Sequence, residues 1–507
     1  MKYTKAALAA AAIAIGAETL GWNAGPGGPQ ADASQRTGTR RAAEVAASRR
    51  QDDFAAMGRF RPGYSFWRHV FVLPDHRIAY GSALDGRLLA TFPTKGNWTH
   101  DAVWVDPTLA ASLDGEILAR KLADRREQVA LVLERVVGPV VNNATRGDAL
   151  IPNASRYGRF LSEWSAIYER FGVPGDIGLA QVILESGLSP TRRSDANAIG
   201  FCQWLWKNWR RLNHFSGAPI EGLNQTTQAP YCAAYLSVLA TKYGSFIPAL
   251  SEHNAGGTNV GRALIAGAHL AAQDVRSRYF LGSKLARDLR ALPGRKYEDV
   301  HRSYGPRSYL YAEMVFGNTL NVSDLTSTTA QEPIHAMRTA RAISLAEIIE
   351  RTNLSADDIR LFNPALVERI PAAGTLYLPI HVSDFGRDVA FWRRPPDAAY
   401  SAVLDDFARL EPGPERWDDP SFAPVLTDFR RRFTETNTEE GMVMATVLAY
   451  AIDQAYASPR RALLAEFRTS EEVRLLIARG VLELDARQAA TSSLADGTFL
   501  LPEPRSP

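Results

Sequence analysis

The sequence predicts a mainly α-helical protein made of several units, and three stretches carry that expectation. Residues 176–186 are apolar nearly all round the helical wheel, with Ile177, Leu179, Ala180, Val182, Ile183 and Leu184, as in a helix buried on every side. Residues 155–173 place Tyr157, Phe160, Leu161, Trp164, Ile167, Tyr168 and Phe171 at helical spacing. Residues 385–500 read as further helices with charged faces, and Trp392, Trp417 and Phe422 as their core. A length of 507 residues fits roughly two to four domains, and 46% hydrophobic against 22% charged residues is a globular composition.

Composition also narrows the partners. The net charge of +3 is small beside 58 basic and 55 acidic side chains, and no compact basic stripe stands out, so nucleic acid is not expected. Two cysteines in so long a chain do not make a disulfide scaffold. The nine histidines are scattered without a zinc-like pair, and no metal or other cofactor is expected.

Taken in order, residues 1–17 begin with lysines at 2 and 5 and continue into a short Ala/Ile run, a signal-peptide pattern. Cleavage is expected after Ala17 or Ala33, with the Gly/Pro/Gln stretch 24–37 as a linker, so that 1–33 is leader and linker. The alternative is an N-terminal tail or a small amphipathic helix. No cysteine follows the run to carry a lipid, and no stretch reaches the ~20 apolar residues that span a bilayer. Export to the periplasm follows as the expectation, with association to the cell wall or membrane left open.

Residues 38–150 are expected to form an α+β unit without a recognisable motif. Residues 38–62 read as a charged helix. Residues 66–93, with Phe66, Trp67, Val70, Val72, Ile78, Tyr80, Leu88, Leu89 and Phe92, read as two or three strands with turns at Pro74-Asp75 and Asp85-Gly86. Residues 108–145 read as one or two helices. The aromatic stripe of 155–173 that follows is read as core in preference to a sugar platform.

The apolar helix after it carries the chemistry. Asp176 is placed to cap its start, and Gly187 and Pro190 end it. Glu185 therefore sits in the last turn of a buried helix. Burial and the negative end of the helix dipole both disfavour its ionised form. A carboxyl group held protonated near neutral pH is what a general acid requires. The plainer reading is a terminal glutamate that swings out to solvent.

Three ordered motifs favour the functional reading. Glu185-Ser186-Gly187 is followed by Pro190, Ser194, Ala198, Gly200 and Gln203; HNAGGTNVGRAL stands at 253–264; and Tyr309 lies in GPRSYLYAEM, ahead of an apolar helix. Over about 155–320 the chain resembles the lytic transglycosylase family, in particular the membrane-bound lytic murein transglycosylase D group. The resemblance implies a lysozyme-like helical catalytic domain over 151–325, with Glu185 as the single acid/base. It also implies that Ser186, Gln203, His253, Asn254 and Tyr309 contact substrate. Laid on the family pattern, Cys202 replaces a methionine in the active-site loop and Cys232 falls on the helix packed behind it. A Cys202–Cys232 disulfide is therefore expected, the alternative being two buried free thiols. The chain departs from the pattern where His253 replaces a tyrosine and where Asn197 and Thr258 replace glycines. Asn197 is tolerable because asparagine enters left-handed conformations. Glu252 is an added carboxylate. After Gln203 come Trp204, Trp206 and Trp209, of which one is expected to line a sugar groove and the others to be core.

Residues 335–380 read as a strand, a helix from Ser344, a helix from Ser355, Asn363-Pro364 and a strand at 376–379. This βααβ pattern resembles a LysM module, which implies binding to N-acetylglucosamine chains or a degenerate structural unit. No motif marks 385–500, and the tail 492–507 is expected to be disordered.

The function expected from these readings is cleavage of the MurNAc–GlcNAc β-1,4 bond of peptidoglycan with a 1,6-anhydro product. Two alternatives stand beside it. One is a hydrolytic muramidase using Glu252 or Asp195 as a second carboxylate. The other is an inactive cell-wall-binding or assembly protein. Peptidoglycan glycan strands are the expected partner, with envelope-assembly proteins engaging the N- and C-terminal regions.

Overall fold

The structure, a computed structural model, describes residues 33–495 apart from 218–219, 293–294, 302–307, 383–388 and 457–458. The leader expected at 1–17, the start of the linker and the end of the tail lie outside the described residues. The protein is mainly helical. Among the described residues no helix is long and apolar enough to cross a membrane.

Helix α1 (Ala33–Phe60) buries Ala42, Ala46, Ala56 and Met57 on one side. Its Asp53 is fully buried, accepting from Ser245 Oγ and Phe246 N, each at 2.6 Å, and from Arg276 Nε at 2.5 Å. A buried carboxylate is tolerated only with such compensation. The next segment departs from the expected strands. Trp67–Val72 is a helix, α2, because Trp67, Val70 and Phe71 recur at i, i+3 and i+4 and are buried together. Strands then form where expected: β1 (Arg77–Ser82) and β2 (Leu88–Pro93) pair as an antiparallel hairpin with Ile78 opposite Phe92. Strand β3 (Val103–Trp104) extends the β2 edge, helix α3 (Leu122–Val137) follows, and β4 (Val140–Ala144) returns beside β1, giving the order β3-β2-β1-β4. Strand β4 lies inside a stretch expected to be helical. Gly138, at φ 79°, ends α3, and β4 then pairs its backbone with β1 along the whole of its length.

The central bundle consists of α4 (Leu161–Arg170), α5 (Gly175–Ser186), α6 (Trp206–Phe215), α7 (Gln225–Tyr243), α8 (Phe246–Ala255), α9 (Gly257–His269), α10 (Val275–Ala291) and α11 (Tyr311–Thr328). Helix α5 packs against α4, α7 and α11. Ile177, Leu179, Ala180, Val182 and Ile183 are all buried. Each of the larger ones contributes about 1.5–3 kcal/mol relative to exposure. At Gly178 a Cβ would lie 2.1 Å from the Tyr168 ring, so only glycine lets α4 and α5 approach this closely. The aromatic stripe of α4 is core: Phe160, Leu161, Trp164, Ile167, Tyr168 and Phe171 are buried. Asp176 stands one residue inside α5 instead of capping it. Pro174 occupies the cap, and the Asp176 carboxylate is gripped by Arg50 of α1, Nη2 to Oδ2 at 2.6 Å.

Two further strands of two residues, β5 (Ala198–Ile199) and β6 (Trp204–Leu205), form a hairpin in the loop after α5. Beyond the bundle, β7 (Ile334–Arg338) pairs antiparallel with β10 (Thr375–Pro379), and β8 (Ile343–Ser344) with β9 (Arg369–Ile370). Between them lie α12 (Leu345–Thr352), capped by Ser344, and α13 (Ala356–Phe362), opened by a Ser355–Asp358 capping box. This βααβ unit has its own core of Ile343, Ile348, Ile359, Leu366, Ile370, Leu376 and Leu378. It is docked to the bundle: Asn224 Nδ2 donates to the Phe362 carbonyl at 3.3 Å, and the Tyr377 and Thr227 hydroxyls are 3.0 Å apart.

The C-terminal helices are α14 (Ala398–Ala408), α15 (Ala423–Glu435), α16 (Glu439–Tyr456), α17 (Arg460–Thr469) and α18 (Glu471–Ala495). One hydrophobic core runs from Ala42 to Tyr450 and takes in Trp392, Trp417 and Phe422. Helix α14 packs on α1, and α16 on α7. Buried Arg170 of α4 donates from Nε to Glu440 at 3.0 Å, and Trp392 Nε1 donates to Glu163 at 2.9 Å.

Candidate active site

Helix α5 stops where Gly187 turns left-handed, at φ 58°, with its N–H bonded to the Ile183 carbonyl at 3.0 Å. A Cβ there would come within 2.5 Å of the Ala149 carbonyl oxygen. The stop fixes Glu185 in the last turn with its side chain 15% exposed. Burial raises its carboxyl from the ordinary 4.5 to about 7, opposed in part by the hydrogen bond that the Tyr311 hydroxyl donates to Oε1. The group is thus poised between acid and base at neutral pH while part of its side chain still meets solvent. Buried Gln181 of α5 donates from Nε2 to the Tyr311 oxygen at 3.4 Å, orienting the phenol.

His253, in the last turn of α8, brings Nε2 to 3.7 Å from Glu185 Oε1 and to 3.0 Å from the carbonyl oxygen of Cys202. A carbonyl only accepts, so this bond assigns the proton to Nε2. Burial lowers the imidazole to about 4, against the bond to Cys202. Near neutral pH the ring is uncharged and its one N–H is taken by the Cys202 carbonyl, so the approach to Glu185 is a van der Waals contact, neither an ion pair nor a hydrogen bond.

The loop beneath these residues is tied at several points. Asn197, Gly200 and Gln203 are left-handed, at φ 59°, 71° and 52°. Cys202 is joined by a disulfide to Cys232 of α7. Phe201 N donates to Gln228 Oε1 at 2.8 Å, and Ser186 Oγ donates to the Phe201 carbonyl at 2.8 Å. Gln203 Nε2 donates to the carbonyls of Arg192 and Gly200, both at 2.9 Å.

Of the residues expected to contact substrate, His253 alone is brought against Glu185. Ser186 is buried with its hydroxyl committed to the loop backbone. The Gln203 amide nitrogen is likewise engaged, and Asn254 is exposed at the end of α8. Tyr309 is partly buried below Arg287, whose guanidinium carbon lies 5.5 Å from the ring centroid. Tyr311, two residues further on, is the tyrosine on Glu185. It stands in the first turn of α11, where Tyr311 to Thr319 are all buried. Among the three tryptophans only Trp206 is exposed, at 50%, and it stands at the start of α6 beside the loop. Trp204 and Trp209 are buried, and Trp204 stacks on Tyr450 of α16 with centroids 5.6 Å apart.

Of the two carboxylates considered as a second catalytic group, Glu252 is fully engaged. Glu252 is 6% exposed and accepts from Lys242 Nζ at 2.9 Å, from Arg460 Nη1 at 2.8 Å and from Tyr243 Oη at 2.5 Å. Burial alone would raise its carboxyl, but the two cations hold it at about 2. Asp418 completes the cluster, 3.2 Å from Lys242 and bonded to Arg460. Asp195 is exposed in the loop. Among the described residues no group of three or more His, Cys, Asp or Glu side chains gathers as a metal site. No protein-family model matches the sequence, and no curated protein matches it.

Proposed function

We propose that the protein is a peptidoglycan lytic transglycosylase with Glu185 as its one acid and base. The observation that carries this reading is a partly exposed carboxyl group, raised to about 7, that accepts from a buried phenol and lies 3.7 Å from an uncharged imidazole. Glu185 protonates the glycosidic oxygen between N-acetylmuramic acid and N-acetylglucosamine as the C1–O bond breaks. The resulting carboxylate then takes the proton of the muramoyl C6 hydroxyl, whose oxygen closes onto C1. The ring closes without water, and Glu185 ends protonated for the next cycle. A pKa near the working pH suits a group that must give and then take a proton. Tyr311 stabilises the carboxylate between the two steps, and His253 stands beside it uncharged, its N–H held by the Cys202 carbonyl. Engagement of Glu252 by two cations argues against hydrolysis through that residue, because a salt-bridged carboxylate is too weak a base to activate water.

On this reading the bundle is the lysozyme-like catalytic domain, and the βααβ unit is a LysM-like module that holds glycan strands. A disulfide is compatible with export to the periplasm. The test is release of soluble fragments from purified murein by the wild type and by Glu185→Gln. Release by the wild type and loss in the variant, with its fold retained, supports the assignment. Equal release by both removes Glu185 from the mechanism.

A further inference from the structure

A second cavity lies away from Glu185, where the βααβ unit, α7 and the start of α16 meet. Its volume is about 580 Å³, within the usual range of ligand pockets, about 300–1,000 Å³. Three segments distant in sequence bring charge to it: Glu221 from the chain before α7, Arg338 from the end of β7, and Glu439 from the first turn of α16. Tyr231 and Tyr377 form an aromatic wall, and Met442 adds an apolar side. Tyr377 is locked in place, its hydroxyl spent on Thr227 at 3.0 Å.

The charges here do not cancel one another. Among the described residues Glu221 has no hydrogen-bond or ion-pair partner, and Arg338 forms no ion pair, its Nη1 donating to the Ala373 carbonyl at 3.0 Å. Glu439 has only a loose partner, Arg394 at 3.7 Å. Yet all three act on the same wall: Arg338 and Glu439 on Tyr231, Glu221 and Glu439 on Tyr377. Burial raises Glu221 to about 7. Opposite charges held apart along one aromatic wall complement a ligand that carries both signs a short distance apart.

We propose that this cavity binds a short peptide with a free ammonium and a free carboxylate, Glu221 and Glu439 taking the ammonium, Arg338 the carboxylate, and the Tyr231–Tyr377 wall the chain between. The assignment rests on the cavity's own chemistry and is independent of the reaction at Glu185. The test is calorimetric titration of the full-length protein with trialanine and with trialanine acetylated and amidated at its ends, alongside Glu221→Gln and Arg338→Gln. Trialanine binds one site, the capped peptide binds at least about tenfold more weakly, and each variant weakens trialanine by about tenfold without shifting the thermal midpoint. No saturable binding of trialanine at millimolar concentration, equal binding of the capped peptide, or unchanged binding by both variants overturns the proposal.

Discussion

The Tyr311 hydroxyl donates to the same carboxylate oxygen of Glu185 that His253 Nε2 approaches at 3.7 Å. That oxygen therefore has one donor, the phenol, and one uncharged neighbour whose N–H is held by the Cys202 carbonyl, while burial of the whole group favours its protonated form. Tyr311→Phe removes the hydrogen bond that favours the ionised state. Glu185 then titrates higher, and the alkaline limb of the activity profile, where the acid form is lost, moves to higher pH. Activity at its optimum falls about tenfold to a hundredfold, because the carboxylate formed in the first step loses a donor. A pH–rate profile of murein solubilisation measures both effects. An unshifted limb contradicts the role given to Tyr311.

The raised carboxyl also has a cost in stability whose sign is fixed. Glu185 ionises near 4.5 in the unfolded chain and near 7 in the folded one. Between these values the folded state binds more protons, so stability falls as pH rises through the window. The full loss is an upper bound of about 3 kcal/mol, reduced because part of the side chain meets solvent. Glu185→Gln should therefore match the wild type in thermal midpoint near pH 4 and exceed it at pH 8. A variant less stable than the wild type at pH 8 contradicts the assigned burial.

The disulfide holds the active-site loop against α7 over a sequence separation of 30 residues. A loop of that length is worth about 3–4 kcal/mol of stability in the chain-entropy account. Cys202→Ser with Cys232→Ser should lower the thermal midpoint accordingly. It should also cut activity, since the Cys202 carbonyl that orients His253 is no longer pinned. Chemical denaturation and murein digestion of the double variant measure the two losses separately.

The Glu252 cluster makes the C-terminal helices part of the bundle's stability. Arg460 of α17 reaches across to Glu252 of α8 and to Asp418. Arg460→Met leaves buried acid short of a cation and should cost about 3–5 kcal/mol. Because Glu252 is held at about 2 in the folded state, below its ordinary 4.5, its contribution is present above pH 4.5 and is lost as pH falls through about 2. Urea titrations of the wild type and Arg460→Met at pH 7 and pH 3 check this. The gap between the two proteins should narrow at the lower pH.

Much of this molecule could be read from residue patterns, and the failures have physical causes. The α5 helix, the Ser344 and Ser355 caps and the Asn363 turn were legible because apolar period and capping chemistry are local signals. Trp67–Val72 was misread because four apolar residues in six satisfy strand and helix templates alike, and only packing decides between them. Strand β4 was missed because pairing with β1 is a long-range choice. At the site, the position of Glu185 followed from Gly187, whereas the choice between Tyr309 and Tyr311 depended on where α11 begins. The roles of Ser186 and Gln203 in holding the loop depend on backbone carbonyls that no side-chain pattern reveals.

The most direct measurement is mass spectrometry of muropeptides released from purified murein in ¹⁸O-water by the wild type and by Glu185→Gln. The account predicts anhydro-ended products without ¹⁸O from the wild type and none from the variant. Reducing ends that carry ¹⁸O would show that water, not the C6 hydroxyl, attacks C1, and would contradict the single-carboxylate mechanism.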